Sequence, residues 1–123
     1  MQDALTEGGF DAVLSPVLEI CAPRLSDFLG GPRFLQSGIL NLMGMTGGTV
    51  PFGRVTEEDE KTEYEDYHSD SLTTGMKSAM KGSRGMPLSV QIASYPGREA
   101  LVLALMKQVE ADTRDINDYH PLT

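Results

Sequence analysis

Gly85-Met86-Pro87-Leu88-Ser89-Val90-Gln91-Ile92 runs on through Ala93 and Ser94 to Tyr95-Pro96-Gly97-Arg98-Glu99, and an apolar periodic segment follows. The run from Met86 to Ser94 is short, apolar and bounded by turn residues, which predicts a strand. From Arg98 to Ala111, Leu101, Leu105 and Val109 recur on one side with Val102 and Met106 beside them, the spacing of a helix burying a broad stripe. A strand leading directly into such a helix fixes the character of the whole chain as alternating β and α.

Working outward, Phe10-Asp11-Ala12-Val13-Leu14-Ser15-Pro16 is an apolar run opened by Gly8-Gly9 and stopped by proline, and predicts a strand over 11–15. The segment from Pro16 to Pro32, with Pro23 and Gly30-Gly31, predicts a surface loop with at most a short helical turn. From Arg33 to Met43, the residues Phe34, Leu35, Gly38, Ile39, Leu42 and Met43 fall on one helical face, with Gly44 as the stop. Gly47-Gly48-Thr49-Val50-Pro51-Phe52-Gly53-Arg54-Val55 mixes β-formers with glycines and proline, so it predicts a strand at a sheet edge or bent near Pro51. Gly47 and Gly48 leave room for another backbone to approach.

Residues 57–70 carry eight acids and one lysine with two tyrosines, the composition of a solvated acidic excursion or lid. Leu72, Met76 and Met80 then step by four along a predicted helix, with Lys77 and Lys81 near its end and Gly82 beyond. The tail at 114–123 is expected to fray. Strand, helix, strand, helix, strand, helix is an α/β order, and no repeat interrupts it.

Composition narrows the function. Ten Lys and Arg against eighteen Asp and Glu give a net charge of −8, which repels phosphate backbones and anionic headgroups and argues against nucleic acid as a partner. The single cysteine, Cys21, allows no internal disulfide, and a reducing compartment is the simplest expectation. Acids near Met1 stand where a signal peptide carries basic residues, and no stretch approaches the roughly 18 apolar residues of a membrane span. The expected location is therefore cytoplasmic, or peripheral on the cytoplasmic side of a membrane through parts that lie outside this chain.

Three blocks in fixed order carry a resemblance: Asp11-Ala12-Val13-Leu14-Ser15-Pro16; Leu40-Asn41-Leu42-Met43-Gly44 leading to Val50-Pro51-Phe52-Gly53; and Gly85-Met86-Pro87-Leu88-Ser89-Val90-Gln91. Together they resemble the C-terminal portion of the amidase-signature family. Val55-Thr56-Glu57-Glu58-Asp59, Lys77-Ser78-Ala79-Met80-Lys81 and Met106-Lys107-Gln108-Val109-Glu110 look closest to the fatty-acid amide hydrolases of eukaryotes. The resemblance implies a mixed sheet flanked by helices and a serine hydrolase of carboxamides using a Ser-Ser-Lys arrangement. In such a site a neutral lysine takes the proton and a bridging serine relays it to the leaving amine. No cofactor or metal is implied. The implied partner is a small acyl or fatty-acid amide, and a homodimer is a further expectation.

The catalytic parts of that family lie in an upstream Gly/Ser-rich segment. The nearest run here, Thr46-Gly47-Gly48-Thr49, has no paired serine, so no catalytic residue carries over. Thr46 also departs from the proline usual at that place. Leu72 stands in a helix where fatty-acid amide hydrolases place a large aromatic facing the acyl channel, which leaves substrate preference open. The resemblance makes Phe34, Gly38 and Leu72 candidates for an apolar substrate wall. Asn41, Gly44, Pro51, Gly85, Pro87 and Gln91 are motif residues expected to shape the backbone beside the sheet, with Gln91 satisfying a neighbouring loop.

Other candidates have simpler readings. Cys21 with His68 or His120 as base is weaker than an idle thiol, because the histidines fall in the acidic excursion and the tail. Glu57, Glu58, Asp59, Glu60, Asp66 and His68 lack the ligand alternation and central glycine of a calcium loop. Ser83 in a turn and Ser89 in mid-strand have no base placed by sequence, Lys77 and Lys81 read as a solvated helix face, and the seven methionines read as core filler. The chain is thus expected to be a C-terminal segment of an amide hydrolase, inactive alone, supplying scaffold and part of a substrate channel. The alternatives are a non-catalytic binding module derived from the same fold and a small thiol enzyme using Cys21.

Overall fold

A computed structural model describes residues 2–24, 35–62 and 71–115. In chain order the elements are α1 (Gln2–Glu7), β1 (Ala12–Pro16), α2 (Leu35–Leu42), β2 (Thr46–Arg54), α3 (Glu57–Lys61), α4 (Ser71–Met80), β3 (Pro87–Ser94) and α5 (Glu99–Asp112). The three strands form one sheet in the order β1-β3-β2, with both pairings antiparallel. The α/β class, the sheet and its flanking helices are as the sequence predicts, but α2 does not bury the face expected of it: Leu40 and Met43 pack against the sheet, while Ile39 and Leu42, 46% and 86% exposed, stay in solvent.

β3 is the central strand, and its residues from Gln91 to Ser94 are buried. Its alternating side chains go to opposite faces, and both faces are covered. Ile92, 2% exposed, packs with Val50 of β2 and Val102 of α5, with Leu105, Met106 and Val109 around them. On the other face Ala93 packs with Leu5 of α1 and Met45, backed by Val13, Leu40 and Met43. A third cluster joins Cys21, Val55 and Met80. Among the described residues the buried side chains thus fall into three small clusters.

β2 lies at the sheet edge, and its register with β3 is broken between Pro51 and Arg54, so the two readings of Pro51 hold together. Proline lacks a ladder N–H and is tolerated at edges and irregularities. Gly48 admits a neighbour, but that neighbour is a side chain: a Cβ there would collide with the Met106 thioether of α5. At Gly47 a Cβ would sit 3.2 Å from the Ile92 carbonyl oxygen of the paired strand.

α5 is held at its start by both edge strands. Arg98 makes an ion pair with Asp11 at 2.9 Å, and the Thr46 hydroxyl donates to Glu99 at 2.7 Å. The Thr46 hydroxyl therefore has a partner that a proline would lack.

Two helices exceed the predicted order. α1 occupies a stretch the sequence reading used only to weigh a signal peptide. α3 forms inside the acidic segment, where Thr56 caps it by accepting from the Asp59 N–H while the Asp59 carboxylate accepts from the Thr56 N–H. The rest of that excursion from residue 63 to 70, most of the loop after residue 24, and the tail beyond 115 lie outside the described residues. Among the described residues no helix is long and apolar enough to cross a membrane.

Candidate functional site

Among the described residues a concavity lies on each face of the sheet. The first, of about 150 Å³, lies where α2 meets β2 and β3. Ser37, Leu40 and Asn41 come from α2, Met45 from the turn, Gly47, Gly48 and Thr49 from β2, and Gln91 from β3. Thr49 pairs directly with Gln91 across the ladder, so the two project to the same face, and Ser37 and Asn41 are one helical turn apart. No described lining residue is ionisable. The concavity offers hydroxyls and amides that hydrogen-bond, and no proton acceptor near a nucleophile.

Gln91 is buried, and its amide nitrogen donates to Ser15 Oγ and to the Pro16 carbonyl, both at 3.0 Å. It thereby ties the central strand to the neighbouring strand β1, whereas the expected partner was a loop. Asn41 is exposed at the rim, and its carbonyl accepts from the Gly44 N–H at 3.0 Å. Gly44, at φ +63°, ends α2 in the left-handed region where a side chain is strained. Gly85, at φ +80°, donates to the Val55 carbonyl at 2.9 Å and accepts from Arg54 Nη1 at 2.8 Å, turning the chain into β3. Pro87 takes the first strand position, and its carbonyl accepts from Ala22 at 3.1 Å.

The second concavity, of about 380 Å³, is an apolar trough between β1 and α5 on the opposite face. Ala12, Leu14, Ile92, Leu101, Leu105 and Val109 line it, with Asp11 at one end. Leu14 is 60% exposed.

The predicted substrate wall is only partly described. Phe34 lies outside the described residues, and for Leu72 only the backbone, in α4, is described. Gly38 is half-buried on α2 with nothing within 4 Å of where a Cβ would stand, and it lines neither concavity. The sequence reading missed Ser37 and Thr49. Their signal was the helical step from Ser37 to Asn41 and the strand parity that sets Thr49 opposite Gln91.

Cys21 is 2% exposed, and its thiol donates to the Met80 sulfur at 3.7 Å. Burial pushes the thiol's pKa up, and the neighbouring Ser83 hydroxyl and the backbone offset part of that. The Ser83 hydroxyl is itself buried without a well-formed hydrogen bond among the described residues. Ser89 sits mid-strand opposite Pro51. Lys77 is half-buried near the end of α4 and Lys81 is exposed just beyond it. His68, Asp66 and His120 lie outside the described residues. Among the described residues no group of three His, Cys, Asp or Glu side chains is placed to hold a metal ion. Hydrogen bonds depress two exposed carboxylates below their ordinary range: Asp59 through the Thr56 N–H first and its hydroxyl second, Glu99 through the Thr46 hydroxyl first.

Comparison with known proteins gives sequence similarity to two fatty-acid amide hydrolases. The chain is 34% identical over 100 residues to fatty-acid amide hydrolase 1 of Sus scrofa, covering 80% of this chain and 17% of that protein. It is 31% identical over 112 residues to fatty acid amide hydrolase 1 of Caenorhabditis elegans, covering 86% of this chain and 19% of that protein. The chain thus spans less than a fifth of the length of these curated relatives. No family model matches it.

Proposed function

We propose that this chain acts as the carboxyl-terminal scaffold of an amidase-signature enzyme of the fatty-acid amide hydrolase type. In that setting a larger polypeptide supplies a Ser-Ser-Lys centre, and the reaction is hydrolysis of an acyl amide to acid and amine. The observation that carries this reading is the similarity to two such hydrolases over four-fifths or more of the chain.

The arrangement of the chain's own residues agrees with a supporting role. Its motif residues turn helices and start strands, its thiol is buried, and one of its concavities is uncharged while the other is almost wholly apolar. A general base must stand within hydrogen-bond reach of the proton it takes, and neither Ser83 nor Ser89 has such a neighbour among the described residues. On this reading α2, with Gly38 and Phe34, and the helix carrying Leu72 contribute to an apolar wall for the acyl chain, while Asn41, Gly44, Pro51, Gly85, Pro87 and Gln91 hold the backbone that carries it.

The test joins the chain to the remainder of the pig relative, in place of that protein's own matching segment, and assays oleamide hydrolysis. Turnover that is lost when the relative's catalytic lysine is replaced supports the reading. A hybrid that is folded and soluble yet hydrolyses no acyl amide overturns it.

A further inference from the structure

The two faces of the sheet are covered unequally. α1 and α2 share one face, meeting at the cluster of Leu5, Leu40, Met45 and Ala93, whereas among the described residues α5 covers the other face over Val50 and Ile92, with the Cys21, Val55 and Met80 cluster against Leu88 further along β3. A helix is about 10 Å across and neighbouring strands are about 4.8 Å apart, so a single helix covers about two strands. α5 lies over β2 and β3, where Gly48 receives Met106 and Val50 meets Val102. The strand left bare is β1. Its Leu14, directly opposite Ile92 in the ladder, is 60% exposed on this face, and the flank of α5 carrying Leu101 and Leu105 turns toward it. The result is the apolar trough of about 380 Å³, floored by β1 and walled by α5.

We infer that this trough is a docking surface for one helix of the polypeptide that forms the rest of a fatty-acid amide hydrolase-like enzyme, laid alongside α5 over β1. This rests on the proposed function. The occupant follows from two observations. The opposite face already carries two helices, so the space beside α5 has the width of one more and an apolar floor that suits a helix stripe. In the relatives, the region similar to this chain is covalently part of a protein more than five times as long as the matched segment, so it has a large body to pack against. A strand added at the β1 edge would extend the sheet but leave the trough open.

The experiment co-expresses the full 123-residue chain, tagged, with the pig relative's polypeptide lacking the segment similar to this chain. A photo-crosslinking side chain replaces Leu14, and in a second variant Leu101. The expected result is co-purification and a crosslink from either position to one helical segment of the pig polypeptide. Leu14→Glu should reduce co-purification at least tenfold. Leu103→Glu, at a position of α5 that is 63% exposed outside the trough, should leave it unchanged. Circular dichroism of each variant shows that the tagged chain stays folded. A crosslink to a second copy of the tagged chain overturns the inference, as does equal loss with Leu103→Glu or no crosslink from either position. A crosslinked complex that hydrolyses no acyl amide would sink the proposed activity and leave the surface standing; an active complex without the crosslink would do the reverse.

Discussion

Gln91 on the central strand reaches across the ladder to Ser15 on the edge strand, its amide nitrogen 3.0 Å from Ser15 Oγ and equally far from the Pro16 carbonyl. Removing a buried donor leaves acceptors that must find other partners, at a cost of about 1–3 kcal/mol. Gln91→Leu is therefore expected to lower stability by about that amount, read as a shift of the urea midpoint at unchanged slope. A loss under about 0.5 kcal/mol would mean that the tie between β1 and β3 is ornamental.

Gly48 and Met106 share one space. Gly48→Val forces the Met106 thioether aside, and overpacking of this kind costs about 1–3 kcal/mol. Because the obstacle is the end of a flexible side chain, Met106→Ala in the same molecule should recover much of the loss. A double-mutant cycle reads the coupling. Additive effects would show that α5 does not rest on Gly48.

The Cys21 thiol has a raised pKa through burial, and this sets a direction for stability at high pH. The unfolded thiol ionises first, so the unfolded state binds fewer protons there, and stability present below the ordinary thiol pKa is lost as pH rises through and beyond it. Cys21→Ala should flatten this alkaline limb. In the native chain, iodoacetamide should label Cys21 only at the rate of unfolding. Fast labelling at neutral pH would show a reachable thiol and revive the thiol-enzyme alternative.

At low pH the sign reverses. Asp59 and Glu99 have depressed pKa values, so what they contribute is present above the ordinary carboxylate range and lost as pH falls through their lowered values. Thr46→Val removes the hydroxyl that holds Glu99 down and should shallow the acid limb of the melting temperature against pH. Both groups are exposed, so the change should be small and should shrink further in high salt. An unchanged acid limb at low salt would remove Glu99 from the account.

Gly85 stands at φ +80° at the turn into β3. Gly85→Ala places a Cβ in the left-handed region and should cost about 1–2 kcal/mol, although nothing crowds the position. Thermal melting checks it. A neutral substitution would show that the turn relaxes.

Much of this architecture was legible because local pattern and tertiary role coincide. β3 reads as an almost unbroken apolar strand because helices cover both of its faces, and α5 reads clearly because Val102, Leu105, Met106 and Val109 pack against the sheet. Pro51 announced an edge with a broken register. α3 was hidden because its acids read as solvated chain, even though Thr56 and Asp59 stand at capping-box spacing. α1 was hidden because six residues carry too little periodicity. Of the candidate site, Asn41 and Gln91 were visible through their motifs. Ser37 and Thr49 were not, since only strand register and helix phase bring them to the same concavity.

The central claim is that this chain is scaffold and that the chemistry comes from elsewhere. Its most direct test is oleamide turnover by the 123-residue chain purified to homogeneity, followed by mass spectrometry of released oleate. The account predicts a rate equal to that of buffer. Enzymic turnover that copurifies with the chain and disappears in Ser83→Ala, Ser89→Ala or Cys21→Ser would contradict it.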